Sequence, residues 1–218
     1  MQEVIFPWDI DIQSDKWRWA AGYITSSNFP VQVFKEPVDK TVRNQVERLV
    51  EWATGTRSWI VCFSESPSYM RELYQYVAAS WICTTDSRAR MFDVDSLIEG
   101  ISDPDGVMRD TIEHVDLLIV PYCDPTHHQL RYKRGPIASV LQRRKYNNLS
   151  TITDIFVKNI KFNSKQLQEY SKLLIDSYGD VAYELFTGDR SKYVGVNLPK
   201  NGGSNGQSIR EKIKSFAR

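Results

Sequence analysis

The sequence predicts an α/β protein built on a parallel sheet with helices on both faces. Short continuous apolar runs, "SWIVCF", "WICTT", "DLLIV" and "STITDIFV", punctuate the chain, which is the pattern of strands buried on both sides. Between them lie longer segments whose apolar residues recur at helical spacing. Strands alternating with helices imply parallel crossovers. The composition fits: 218 residues, 41% hydrophobic and 25% charged, describe an ordinary globular chain with enough material for one sizeable domain.

Residues 1–40 read as an aromatic-rich N-terminal arm, with Trp8, Trp17, Trp19 and Tyr23 and one short helix around 14–24. "VDKTVRNQVERLVEWATGT" places Val42, Val46, Leu49, Val50 and Ala53 on one helical face, and Gly55 supplies a stop. "SWIVCF" is the first buried strand, "SYMRELYQYVAAS" a helix, and "WICTT" a second buried strand. "DVDSLIEGI" and "GVMRDTIEHV" are short helices around a polar turn. "DLLIV" is the most strand-like segment of the chain. "GPIASVLQRRKYNN" is a helix with Ile137, Val140 and Leu141 on one face and basic residues on the other. "STITDIFV" is another strand. "NSKQLQEYSKLLIDSYG", capped by Asn163 or Ser164, and "DVAYELFTG" are helices, and "KYVGVNL" is a last strand. The α/β domain therefore covers 41–198. Residues 199–218 are a Gly/Asn linker and the short basic tail "SIREKIKSFAR".

Charge and cysteine usage narrow the function classes. A net charge of +1 gives no global basic excess, so any nucleic-acid surface must be local. No apolar run approaches the roughly 18–20 residues that span a bilayer. The first residues, "MQEVIFPWDIDIQSDKWRW", carry acidic groups where a signal peptide would be basic and apolar. Cys62, Cys83 and Cys123 are odd in number and lie beside apolar residues. They read as reduced, buried thiols of a cytoplasmic protein.

Candidate chemical sites are few. "YCDPTHHQL" brings together Cys123, Asp124, His127 and His128, but it lacks the distant second ligand pair usual for zinc. It reads as a loop after a strand, and no metal is expected. Cys123 with His127 or His128 is the one nucleophile–base pair on offer, without a nucleophile signature around it. Asp93, Asp95 and Asp103 read as caps and solvated turns. The basic residues are more informative. Arg131, Lys133 and Arg134, with Tyr132, stand at one end of a helix, and Arg143, Arg144 and Lys145, with Tyr146, at the other. No Asp or Glu occurs across 131–145, and the tail adds Arg210, Lys212, Lys214 and Arg218. Cations interleaved with tyrosines can hold a phosphate backbone and stack on bases; a solvated helix face would carry a similar pattern.

The order of four stretches resembles the AAA+ ATPase domain of bacterial replicative-helicase loaders and of the ATPases that assist insertion-sequence transposition. They are "SWIVCFSESPSYMREL" at the P-loop position, "IEHVDLLIV" at Walker B, "RRKYNNLSTITDIF" at sensor 1 and "LLIDSYGDVAYELF" in the lid region. The resemblance implies an AAA+-like fold and, at each catalytic position, a loss. A P-loop needs glycines so that backbone N–H groups can wrap phosphates, a lysine for the β and γ oxygens, and a hydroxyl for magnesium. Ser64 and Tyr69 fall at the glycine positions, Met70 at the lysine and Arg71 at the hydroxyl, while Glu65 adds a negative charge where a triphosphate would sit. Walker B needs an aspartate and a glutamate after the strand; Pro121 and Tyr122 stand there, with Asp124 too late. The sensor-1 asparagine position falls near Phe156 and the arginine-finger position near Leu185.

Two function classes follow. One is a non-hydrolysing accessory of DNA replication or recombination, compact enough to suit a phage or mobile element, which binds single-stranded DNA, a replicative helicase or both. Helicase loaders use the region after Walker B for single-stranded DNA, so the resemblance and the basic helix point to one place. The other is a protein-interaction module on a dead scaffold, its nucleotide cleft filled by Tyr69 and Met70, which binds or inhibits a host or viral protein. Trp8, Trp17 and Trp19 could anchor a partner, since such residues dominate interface hot spots, or could pack on their own domain. Neither class requires a cofactor, and without a nucleotide at subunit interfaces a monomer or dimer is expected rather than a ring.

Overall fold

The computed structural model describes residues 3–26, 38–56, 59–64, 67–103, 105–121, 128–156 and 193–195. Its centre is a five-stranded parallel sheet of β1 (Trp59–Ser64), β2 (Ala89–Met91), β3 (Leu117–Val120), β4 (Ser150–Phe156) and β5 (Tyr193–Gly195). The spatial order is β2-β3-β4-β1-β5. β1 therefore sits between β4, where Cys62 aligns with Asp154, and β5, where Cys62 aligns with Val194. The chain leaves β1 for the far edge and returns strand by strand to its side. That places the topological switch at β1, and α/β folds hold ligands outside the carboxyl ends of such strands.

Helices α1 (Asp15–Ser26), α2 (Lys40–Thr56) and α3 (Pro67–Thr85) form one layer; α4 (Val94–Ile101), α5 (Val107–His114) and α6 (His128–Tyr146) form the other. The face of α2 that the periodicity marks, Val42, Val46, Leu49, Val50 and Ala53, is fully buried. Asp39 caps its start, accepting from the Thr41 and Val42 N–H groups at 2.7 and 3.1 Å. The Ser150 hydroxyl donates to the Ala53 carbonyl at 2.6 Å and ties the last turn of α2 to β4. Asp93 caps α4 by accepting from Ser96 N–H. That hydrogen bond, with burial opposing it, holds the Asp93 carboxyl below its ordinary range. Asp103 accepts from the Asp105 and Met108 N–H groups.

The N-terminal arm belongs to the same core. Val4, Phe6 and Ala20 are buried with the residues of α2 and α3. Thr84 receives the Ile5 N–H at 2.9 Å, and Arg43 lies 4.4 Å over the Phe6 ring while pairing with Asp9.

Two sequence expectations are corrected. "WICTT" is no strand: α3 runs unbroken through it to Thr85. Val77, Ala78, Ala79, Ile82 and Cys83 are all buried, so the helix is covered nearly all round and its apolar run carries no period. It stops where Asp86 takes a left-handed conformation, φ 54°. The true second strand is the three-residue β2, with an arginine at its centre. α6 likewise starts at His128 rather than at Gly135, with Pro136 inside it. A Gly-Pro pair reads as a helix start because proline suits the first turn; here the helix continues at the cost of one backbone hydrogen bond. The expected helices between 163 and 188 lie outside the described residues.

Candidate functional site

The first candidate is the carboxyl end of β1. Ser64 is the last residue of the strand and α3 begins at Pro67; Glu65 and Tyr122 lie outside the described residues. Tyr69, in the first turn of α3, is 7% exposed, and its hydroxyl donates to Gln45 Oε1 of α2 at 2.6 Å. Burial, with the charges of Asp39 and Glu72, raises its phenol well above the ordinary value. Met70 is fully buried. Both side chains thus enter the core between the sheet and α2. Arg71 is exposed, and its charge contributes to the low pKa of Asp93. Pro121, just past β3, is buried.

Beneath this end lies a polar cluster that no sequence motif marks. Asp154 of β4 is 1% exposed, beside Cys62 of β1 and Tyr74 of α3. Burial pushes the Cys62 thiol up to about 12, with the Tyr74 hydroxyl opposing and the Asp154 charge adding to the rise. Tyr74 is raised as well, mainly by burial. The Cys62 thiol and the Tyr74 phenol therefore hold their protons at neutral pH, which leaves Cys62 without thiolate character. Cys83 is similarly raised to about 12 by burial. An aspartate inside a strand that otherwise reads as buried was the available signal.

The second candidate is α6. Its backbone carries Arg131, Lys133 and Arg134 in the first half, where side chains lie outside the described residues. At the other end the expected patch comes apart. Arg144 is fully buried. Its guanidinium donates to Thr151 Oγ1 at 2.8 Å, the Ile112 and Val115 carbonyls at 2.9 and 2.8 Å, and the Ser150 carbonyl at 2.6 Å. It pins the end of α5 and the start of β4 to α6 and cannot meet a phosphate. Burial lowers its pKa to about 9, Asp116 opposing, so it stays charged at neutral pH. Arg143 faces solvent but is engaged: it grips both oxygens of Glu113 at 3.0 and 2.8 Å, and Arg109 donates to Oε1 at 2.8 Å. Burial pushes the Glu113 carboxyl up, but the hydrogen bonds and charges of Arg109 and Arg143 outweigh it and hold the pKa below 4.5. Lys145 is half-buried, and Tyr146 is 89% exposed.

The three tryptophans of the arm separate too. Trp8 is stacked on Phe6 at 5.0 Å and meets Tyr76 edge-on at 5.9 Å, packed against the core. It is a structural residue rather than an open anchor. Trp17 is half-buried. Trp19 is 44% exposed and stacks on Tyr23, centroids 5.9 Å apart and rings 15° from parallel.

Among the described residues no cluster of three or more His, Cys, Asp or Glu could hold a metal, and no helix is long and apolar enough to cross a membrane. Cys123, Asp124 and His127 lie outside the described residues, and His128 opens α6.

No protein-family model and no curated protein sequence matches the chain. Solved structures do match its backbone. The DnaC helicase loader superposes with a TM-score of 0.58 at 11% identity, over 76% of this chain and 96% of that one. The two chains share a fold. A DNA replication initiation factor gives 0.55 at 16% identity over 85% of this chain and 54% of its own. AMPPCP-bound DnaA from Aquifex aeolicus gives 0.52 at 16% identity over 85% and 55%. The parallel sheet and flanking helices thus match these replication proteins in fold, at 11–16% sequence identity.

Proposed function

We propose that this chain is an accessory of DNA replication or recombination that acts by binding, to single-stranded DNA, a replicative helicase or both, and not by hydrolysing a nucleotide. The fold shared with a helicase loader and with replication initiators supports the process; fold alone does not assign function. One observation carries the non-hydrolysing half. At the positions where a P-loop offers its second glycine and its lysine, Tyr69 and Met70 turn into the core. A buried methionine supplies no charge to a phosphate, and a tyrosine fixed to Gln45 supplies no open backbone cradle. The protein would then stay on its partner until the partner's own motion released it. As a monomer or dimer it needs no nucleotide-bridged ring.

The test is phosphate release and fluorescent-ATP binding by the purified protein with magnesium. Neither activity should rise above a heat-inactivated control. Hydrolysis that disappears in Glu65→Gln would overturn the reading.

A second reading, a protein-interaction module that binds or inhibits a host or viral protein, is favoured by the loss of Arg144 and the commitment of Arg143 in the basic helix. Absence of binding both to any oligonucleotide at low salt and to a purified replicative helicase, together with capture of a different host or viral protein, would select it.

A further inference from the structure

We propose that the exposed apolar pair Val107 and Met108 at the start of α5, with the carboxylates around it, is the docking face for residues 208–218 of the same chain. Val107 is 72% exposed and Met108 41%, while Val94, Leu97, Ile101 and Ile112 of α4 and α5 are buried. The pair is held in place. Asp103 Oδ2 accepts the Met108 N–H at 3.0 Å, and Gly106 turns the chain into α5 at φ 73°. The Met108 side chain lies across Gly100 of α4, where an added Cβ would stand 2.7 Å from Met108 Cγ. The face therefore spans both helices, and a methionine at its centre adapts to the shape of what covers it.

Charge and reach name the occupant. Glu99, next to Gly100, is exposed, as are Asp105 and Asp110 on either side of Val107. Between 91 and 114 the single Lys or Arg is Arg109, and it grips Glu113 together with Arg143. Setting Arg71, Arg109, Arg143 and all three cations of the first half of α6 against the seven carboxylates of 93–114 still leaves this hairpin negative. Such a face repels a phosphate backbone and takes a basic amphipathic segment. Residues 208–218 are one. Ile209, Ile213 and Phe216 recur at the spacing of one helical face, and Arg210, Lys212, Lys214 and Arg218 outnumber Glu211. Twelve residues, 196–207, connect the segment to the end of β5 at Gly195. That length of chain extends to about 40 Å. Five strands spaced about 4.8 Å apart are roughly 20 Å across, so the segment reaches any helix on the sheet. A tether this short sets an effective concentration of about a millimolar, which populates a small contact in cis that a separate basic peptide would leave open. Docked, the segment has its cations on carboxylates, and nucleic acid would meet them only by displacing it.

The test is NMR of the full chain with isotope-labelled methionine methyls, in which Met108 is one of four reporters and is assigned by Met108→Leu. Ile213→Asp with Phe216→Asp should shift the Met108 signal, leave that of buried Met70 in place, and do so at every protein concentration. Against a background of Glu99→Lys with Asp110→Lys, the same pair should shift nothing. Adding Arg210→Glu with Lys214→Glu to that background should bring the shift back, since the charges are then exchanged across the contact. Thermal melts matching wild type certify the patch variants as folded, and the tail pair alone leaves the patch untouched. An unmoved Met108 signal on tail substitution overturns the docking. Equal movement of Met70 overturns it as a change in the core. A shift that survives the patch reversal overturns this site, and one that grows with protein concentration overturns it in favour of the tail of a second copy.

Discussion

Replacing Arg144 with alanine separates an interior role from a surface one. In wild type the guanidinium serves three backbone carbonyls and the Thr151 hydroxyl in a space without solvent. Each of the four buried acceptors left without a donor costs roughly 1–3 kcal/mol, which bounds the loss at about 12 kcal/mol. Water entering the vacated space and the removal of the charge's own desolvation cost reduce it. The expected result is about 3–5 kcal/mol, the range for breaking one side of a buried ionic arrangement. Against a domain stability of roughly 5–15 kcal/mol that is severe. Urea unfolding followed by far-UV circular dichroism reads it directly. With a slope of about 2 kcal/mol per molar, the midpoint should fall by about 1.5–2.5 M. Arg144→Lys should lie between, since a point charge cannot serve four acceptors spread around a planar fork. A midpoint within ~0.3 M of wild type, with lowered oligonucleotide affinity, would refute the argument and return Arg144 to the surface.

Three further outcomes are expected. Glu113→Gln should remove a pH-dependent part of stability: the folded carboxyl lies below its ordinary 4.5, so its contribution is complete above that value and is lost as pH falls through the lower folded pKa. Urea midpoints of wild type and variant should therefore converge on acidification, and parallel profiles would deny the Arg109–Glu113–Arg143 linkage. Met70→Lys, which puts a lysine where the resemblance aligns the P-loop lysine, should lower stability by several kcal/mol without any nucleotide binding, read by thermal melts and fluorescent-ATP titration. Trp8→Ala should cost roughly 3 kcal/mol or more while Trp19→Ala stays within ~0.5 kcal/mol of wild type; equal melting temperatures would contradict the different packing of the two rings.

Much of the fold was legible because burial writes itself in periodicity. α2 shows its inward face in Val42, Val46, Leu49, Val50 and Ala53, and β1, β3 and β4 show theirs as unbroken apolar runs. The same rule misread "WICTT", since a helix covered on nearly every side is also an unbroken apolar run. The basic helix carries a second signal in its spacing. Ile137, Val140 and Leu141 mark a stripe whose next member is Arg144, while Arg143 lies a helical step away on the solvent side. Residue type said cation and position said core; position prevailed because carbonyls from α5, the turn before β3 and β4 converge there. That convergence is tertiary, as is the meeting of Asp154 with Tyr74 and Cys62, and no local spacing announces either.

The central place of β1 has a consequence for synthesis. Its partners come late: Trp59 aligns with Thr151, and Val61 with Tyr193. While the chain emerges from the ribosome, "WIVCFS" has no neighbouring strand to zip against until β4 appears, and its other edge stays open until β5 follows. Non-local pairing of this kind slows folding and prolongs the life of sticky intermediates. A nascent chain halted between β4 and β5 would present β1 as a bare apolar edge, so efficient production should depend on a holding chaperone during that interval.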